Sequence, residues 1–448
     1  MSAASFDVAA LIDKGPLGLY RILIVATCCA VAMIDGFDTQ SIAFVAPEIA
    51  TAWHVPAAQF GPVFAIGLFG GLLGAVILGA IGDRFGRKLV LLPAMALFAI
   101  ASLATVTADG VTSLLIFRLL TGFGLGGAIP GVIAITSEYA PSGRRATIVT
   151  LMFCGFPLGA VLGGAMSAKL IPAYGWHAVF YAGGILPLVL LPLVGLVVPE
   201  SIRFLMHRRA DPAAIARVLR RIHPHAGLPD RANFTATEES TEGSPLRQLF
   251  AEGRGAGTAL LWATFFMSLM LAFFLVNWLP ILFRQLGFPI GSAVMATVML
   301  NAGGIVGSIV LARLIDRFGP YAVIAPGYAI GTVFVALIGL IEAPLAVMLA
   351  IVFLAGFFSI GAQLGAVSLA ATFYPTTMRA TGIGGCMGVG RVGAIAGPLA
   401  GGALIGAGLG TGSIFLAAGL ASLLASAAIL AMRRFTYTVS AMNSRIIA

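Results

Sequence analysis

Twelve apolar stretches, each long enough to cross a lipid bilayer, recur along this chain with turn signals between them. They cover 20–46, 58–81, 89–107, 111–136, 147–170, 177–198, 257–283, 290–312, 321–341, 344–371, 381–407 and 411–432. In hydrocarbon such a stretch can satisfy its own backbone polar groups only as a helix. The pattern predicts an all-α polytopic membrane protein. Of the 448 residues 59% are hydrophobic and 10% charged, against roughly 45–50% and 25% in a soluble domain. A soluble enzyme, a disordered chain and a nucleic-acid binder are excluded on that ground. Cys28, Cys29, Cys154 and Cys386 all lie inside apolar stretches, where neither a disulfide nor a metal cage is expected. No nucleotide-binding loop occurs and no cofactor or metal is expected. The first twenty residues lack a basic start followed by an apolar core, so no cleaved leader is expected.

The charges orient the helices. With a cytoplasmic N-terminus, the inside connections collect Lys14, Arg21, Arg84, Arg87, Lys88, Arg144, Arg145, Arg313, Arg317, Arg379, Arg433, Arg434 and the basic 199–256 segment, while the outside ones hold only Lys169 and Arg284. The lopsidedness places both termini in the cytoplasm. It also divides the chain into an N-terminal segment (1–19), a six-helix half (20–198), a cytoplasmic linker (199–256), a second six-helix half (257–432) and a C-terminal tail (433–448). The linker reads as a solvated connection without chemistry, with a short basic helix on the membrane surface over residues 211–222 as the alternative. His207, His223 and His225 lack the spacing of a metal site.

An internal repeat supports the two halves. Ile81-Gly82-Asp83-Arg84-Phe85-Gly86 returns as Leu314-Ile315-Asp316-Arg317-Phe318-Gly319, an offset of 233, and Arg145-Ala146-Thr147 returns as Arg379-Ala380-Thr381, an offset of 234. Two unrelated motifs at nearly one offset imply a six-helix unit duplicated in parallel orientation.

The loop Gly79-Ala80-Ile81-Gly82-Asp83-Arg84-Phe85-Gly86-Arg87-Lys88 resembles the loop signature of the major facilitator superfamily, G-x-x-x-D-R-x-G-R followed by R or K. Its glycines suit a tight turn and close helix approach, and Asp83 is placed to cap the next helix and to pair with an arginine of the other half. The expected role is a cytoplasmic latch that breaks as the halves rock. The copy at Asp316 and Arg317 is degenerate. In the fourth helix, Arg118 followed by Gly122, Gly124, Gly126 and Gly127 is similar to the superfamily's R-x-x-x-G-x-G-x-G-G pattern. At its end Glu138 lies near Arg144 and Arg145, and the three are read as gate or loop electrostatics, with a proton carrier as the alternative for Glu138. The sixth helix closes on Pro199-Glu200-Ser201-Ile202-Arg203-Phe204-Leu205, which resembles an ending shared by organic-solute carriers and assigns Glu200 and Arg203, with Arg379, to the gate.

Asp35-Gly36-Phe37-Asp38 in the first helix and Gly388-Val389-Gly390-Arg391-Val392-Gly393-Ala394-Ile395-Ala396-Gly397-Pro398 in the eleventh resemble the aromatic acid:proton symporter family. The resemblance implies a bacterial inner-membrane carrier that imports a benzoate-type carboxylate with protons by alternating access, a monomer sufficing. Helical rise puts Asp35 ~21 Å along the first helix from Arg21 and Arg391 ~18 Å along the eleventh from Arg379. Both fall in the middle of the membrane, with Asp38 and Arg118 sharing the next layer out. Spacing i, i+3 sets the two aspartates on one helix face.

On this reading Arg391 binds the substrate carboxylate, with Arg118 as a second candidate, and Asp35 or Asp38 carries the proton. An ionised aspartate competes with the substrate for the guanidinium, and protonation ends that competition. The alternative for the acid pair is a static bridge to Arg118. Phe37, Phe153, Phe156, Phe274, Trp278 and Phe357 lie in helices that line the cavity in this superfamily and are the candidates for a slot around the aromatic ring. Asn301 and Gln363 either meet a ring hydroxyl or bond a neighbouring helix. Two other readings stand beside this one: a carrier of a non-aromatic organic anion, and a membrane sensor that binds solute without moving it.

Overall fold

The computed structural model describes residues 5–14, 18–208, 212–222, 233–235, 245–251, 253–375 and 378–447. Twelve helices are long and apolar enough to cross a membrane: spans 1 to 12 run Leu19–Trp53, Ala57–Phe85, Arg87–Thr105, Val111–Tyr139, Thr147–Tyr174, His177–Val197, Gly255–Gln285, Ile290–Phe318, Pro320–Leu340, Leu345–Phe373, Thr381–Gly406 and Thr411–Arg433. They follow the apolar stretches in order and number. Span 1 is longer than its apolar run because it continues through Pro47, and span 12 carries on as helix to Ile447. His223 and His225 lie outside the described residues.

The chain forms two compact units. The first comprises Met1–Thr39, Phe69–Ala160 and Phe180–Thr241; the second comprises Gln40–Leu68, Val161–Val179 and Glu242–Ala448. The units therefore cut through spans 1, 2, 5 and 6 instead of following the boundary between the sequence repeats.

Within each unit the repeat reappears as contacts. In the first unit a Cβ on Gly70 or Gly74 would strike the carbonyl of Leu119 or Phe123, and one on Gly159 would strike the carbonyl of Met33. In the second, Gly303 and Gly307 meet the carbonyls of Phe353 and Phe357, and Gly393 meets that of Phe266. Gly70 to Gly303, Gly74 to Gly307 and Met33 to Phe266 all keep the offset of 233, and Gly159 to Gly393 keeps 234. The same helix pairs thus pack backbone to backbone in both copies, held by dispersion at a distance only glycine allows.

The linker helix, Pro212–Ile222, corrects the alternative of a helix resting on lipid. Its apolar residues Ile215, Leu219 and Ile222 are buried in one cluster with Val8 and Ile12 of the short helix Val8–Lys14 and with Ile24, Ile135 and Val194 of the spans. Arg217, Arg220 and Arg221 are exposed on the opposite face. The strong amphipathicity that suggested a membrane surface is satisfied by protein. Ser5–Asp7 also pairs in parallel with Asn233–Thr235, tying the N-terminal segment to the linker. Asp13 accepts the Ser142 N–H at 2.7 Å. That bond above all, with the Ser142 hydroxyl, holds the Asp13 carboxyl below the usual range. Its contribution is therefore complete above the unfolded carboxylate pKa of about 4 and is lost as pH falls through the lower folded value.

Two outcomes follow. Gly159→Leu and Gly393→Leu each separate a packed helix pair and should cost about 1–3 kcal/mol or more, read as lost monodispersity or a lower Tm in detergent; Gly79→Leu, which meets nothing within 4 Å, should cost far less. Leu219→Asp should lower Tm through loss of about 2–4 kcal/mol of burial, whereas Arg217→Asp on the exposed face should not.

Candidate functional site

The first unit holds a charge cluster built by four spans. Asp38 of span 1 is fully buried and accepts the Ser102 hydroxyl of span 3 at 3.0 Å. Its other oxygen lies 3.6 Å from the Arg118 guanidinium of span 4. That guanidinium sits 4.9 Å from the ring centroid of Phe180 in span 6 and donates to the Thr121 hydroxyl at 3.4 Å. A side chain on Gly183 would reach within 3.1 Å of the Asp38 carboxylate and 2.9 Å of the Ser102 oxygen, so span 6 closes the cluster with bare backbone. A buried acid and base tolerate low dielectric here because each supplies the other's countercharge, with a hydroxyl and a π face completing the shell. Asp35, one turn back, is buried at 8% exposure and accepts the Thr39 hydroxyl at 3.4 Å.

Sequence reasoning put Asp38 and Arg118 in one layer but missed Ser102, Phe180 and Gly183. A serine in an apolar helix and a glycine among many carry no distinguishing mark until the fold brings them to a charge.

In the second unit Arg391 differs from Arg118 in every respect. It lies in the middle of span 11, is exposed, and makes no ion pair or hydrogen bond with the described residues. A guanidinium at that depth requires water or an anion. Gln363 of span 10 is buried and its amide has no hydrogen-bond partner among the described residues. Asn301 of span 8 is fully committed: it donates to Gln40 at 2.9 Å and to the Thr297 carbonyl at 2.9 Å, and accepts from Gln40 at 3.2 Å. The two amides treated alike in the sequence thus part company.

The aromatic candidates also divide. Phe37, Phe274 and Trp278 are buried, and Trp278 donates its N–H to the Pro398 carbonyl at 3.0 Å while meeting Phe64 edge to face. Phe153 is exposed and stacks parallel to Phe156 with centroids 6.1 Å apart. Phe357 is half-buried and packs edge-on against Phe358. Phe153, Phe156 and Phe357 keep ring surface accessible to another molecule.

The loop residues interlock differently from the expectation. Asp83 bonds Arg87 of its own loop at 3.1 Å, not an arginine of the other half, and it does not cap the next helix. The cap on span 3 is Glu200, whose carboxylate accepts the Lys88 N–H at 3.0 Å and the Ser201 N–H at 2.8 Å. Gly86, at φ +115°, is required twice over: it takes a conformation other residues avoid, and a Cβ there would lie 2.6 Å from Glu200. Gly79 meets no neighbour, so close approach does not explain it. Glu138 accepts the Ser201 hydroxyl at 2.7 Å and the Ile202 N–H at 3.0 Å, with Arg87 at 3.9 Å; it pairs with neither Arg144 nor Arg145 among the described residues. Tyr139 donates to the Glu200 carbonyl at 2.6 Å. Three separate sequence motifs are therefore one hydrogen-bonded structure. Arg84 lies over the Phe85 ring and Arg317 over Phe318, while Arg144, Arg203, Asp316 and Arg379 are exposed.

Comparison with known proteins agrees with this architecture. The chain matches the Major Facilitator Superfamily over residues 28–384 and again over 302–443. It is 41% identical to the gallate transporter of Pseudomonas putida, covering 96% of this chain and 95% of that one. It is 39% identical to the 4-hydroxybenzoate transporter PcaK of Pseudomonas aeruginosa, with 95% of each covered. Among solved structures, a bacterial homologue of the human lysosomal transporter Spinster superposes with a TM-score of 0.68 at 14% identity over 95% of this chain and 98% of that one. The xylose transporter XylE of E. coli gives 0.67 at 19% identity over 91% and 97%. A duplicated twelve-span helical architecture, the loop signature and these matches together make the chain a member of the major facilitator superfamily.

Proposed function

We propose that this protein is a secondary active transporter that carries an aromatic carboxylate of the hydroxybenzoate or gallate type, together with protons, by alternating access. The observation that carries the reading is Arg391: an arginine exposed at mid-span, without a protein countercharge, is a waiting site for an anion. Its planar fork matches a carboxylate in two parallel bonds. Within the same unit the unpartnered amide of Gln363 suits a ring hydroxyl, and the accessible face of Phe357 suits the ring. Relatives that are named as gallate and 4-hydroxybenzoate transporters support the aromatic class.

Arg118 has a different task. Its charge is met by Asp38, so it serves to hold that carboxylate in the membrane and to set how readily it takes a proton. Asp38, with Asp35 one turn away, forms the proton-coupling pair. Protonating either changes the net charge met by an incoming anion, which is all that coupling requires. The positive-inside pattern supports cytoplasmic termini, the bacterial relatives support an inner-membrane location, and the Asp83–Arg87 pair with Glu138, Glu200 and Arg203 serves the cytoplasmic gate.

Purified protein in liposomes tests this directly. Labelled 4-hydroxybenzoate or gallate should accumulate under an inward proton gradient, and a protonophore should abolish accumulation. Unlabelled benzoates should compete and aliphatic acids should not; binding without accumulation would indicate a sensor instead. Arg391→Ala should lose binding by at least tenfold, with Arg391→Lys intermediate. Asp38→Asn should end concentrative uptake and, by leaving Arg118 buried without a countercharge, cost about 3–5 kcal/mol of stability. Asp38→Asn combined with Arg118→Gln should recover the Tm but not the coupling, and Asp35→Asn should end accumulation while sparing substrate counterflow.

A further inference from the structure

The two amides of Gln40 and Asn301 form a reciprocal pair within the second unit, between side chains 261 residues apart in sequence. Gln40 is 3% and Asn301 8% exposed. With its third bond, to the Thr297 carbonyl, Asn301 has both N–H donors in use, so it can donate to a ligand only when one of those bonds opens.

The contacts around this pair are of another kind. Gly61 of span 2 lies against Gly402 and the Pro398 carbonyl of span 11, a Cβ there meeting them at 3.2 and 3.1 Å. Phe64 meets Trp278 edge to face at 5.3 Å, and Trp53 meets Trp176 edge to face at 5.9 Å. Such apolar contacts tolerate sliding. A doubly bonded amide pair does not: it is either made or broken, and it fixes one register of span 1 against span 8. Span 1 passes from one compact unit to the other between Thr39 and Gln40. Asp38 and Gln40, two residues apart at 3.6 residues per turn, point to nearly opposite sides of that helix. The helix that bears the buried carboxylate on one side therefore bears the amide clasp on the other.

We propose that Gln40 and Asn301 are positioning residues of the transport cycle: their paired amides clasp span 1 to span 8 on the extracellular side, and the clasp must open for substrate to enter from outside. The inference rests on the transporter reading and on cytoplasmic termini. It assigns no substrate contact to either residue while the clasp is closed.

The test uses full-length protein with Cys28, Cys29, Cys154 and Cys386 replaced by serine. In the Gln40→Cys/Asn301→Cys pair, a short bis-methanethiosulfonate bridge should cut uptake at least tenfold, and a thiol reductant should restore it. The exchanged pair Gln40→Asn/Asn301→Gln, which conserves the two amides, should transport within about threefold of the parent, whereas Asn301→Leu should fall well below it. A reporter Ala65→Cys should react several-fold faster with an impermeant maleimide from outside when combined with Asn301→Leu. A bridged protein that transports at the unbridged rate, an exchanged pair no better than Asn301→Leu, or unchanged labelling would each overturn the proposal. The labelling readout needs no substrate. If the chain moved no aromatic carboxylate, uptake would already be absent in the parent while labelling still tested the clasp.

Discussion

A charge in hydrocarbon must find an opposite charge, a hydrogen-bond donor or water, and this protein distributes its mid-span charges by that demand. Asp38 and Arg118 answer one another and are sealed by Ser102, Phe180 and the bare backbone of Gly183. The cluster draws on spans 1, 3, 4 and 6, so one ion pair fixes the relative placement of four helices in the first unit. Removing either partner strands the other, which makes the pair a structural joint.

Helix packing follows a second constraint, close approach. With no hydrophobic force between helices in lipid, contact depends on small residues that let backbones touch. The glycines that do so recur at the offset of the sequence repeat, so duplication preserved the joints: Gly159 on Met33 and Gly393 on Phe266 are one contact made twice. The charges are not duplicated in the same way. Arg118 lies in span 4 and Arg391 in span 11, which are not repeat equivalents, and one is sealed while the other is open. Symmetric packing carries an asymmetric polar inventory, and that asymmetry gives the first unit a sealed ion pair and the second an exposed guanidinium.

Much of this was legible in the sequence because it depends on patterns with a period or an offset. Span number and order follow from apolar length, and the repeat from two motifs. The depth arithmetic brought Asp38 and Arg118 to one layer, since helical rise is nearly constant. What stayed hidden depends on which neighbour arrives from far along the chain. Nothing local marks Glu200 as the cap of span 3 in place of Asp83, because the capping residue comes from the far end of span 6. Nor could the amphipathic helix Pro212–Ile222 reveal whether lipid or protein would cover its apolar face; the answer lay with Val8 and Ile12, two hundred residues earlier.

Asn301 and Gln363 show how hydrogen-bond inventory separates residues that composition treats as equal. An amide offers two donors and one oxygen. In Asn301 both donors are taken and the oxygen already accepts from the same reciprocal partner, so a ligand that needs a donor must first break one of these bonds. Gln363 keeps its amide without a partner among the described residues, so water or a ligand is left to meet it. Arg391 poses the same demand in charge. Neither demand is met by a bond the described residues already make, and that sets both apart from Asn301.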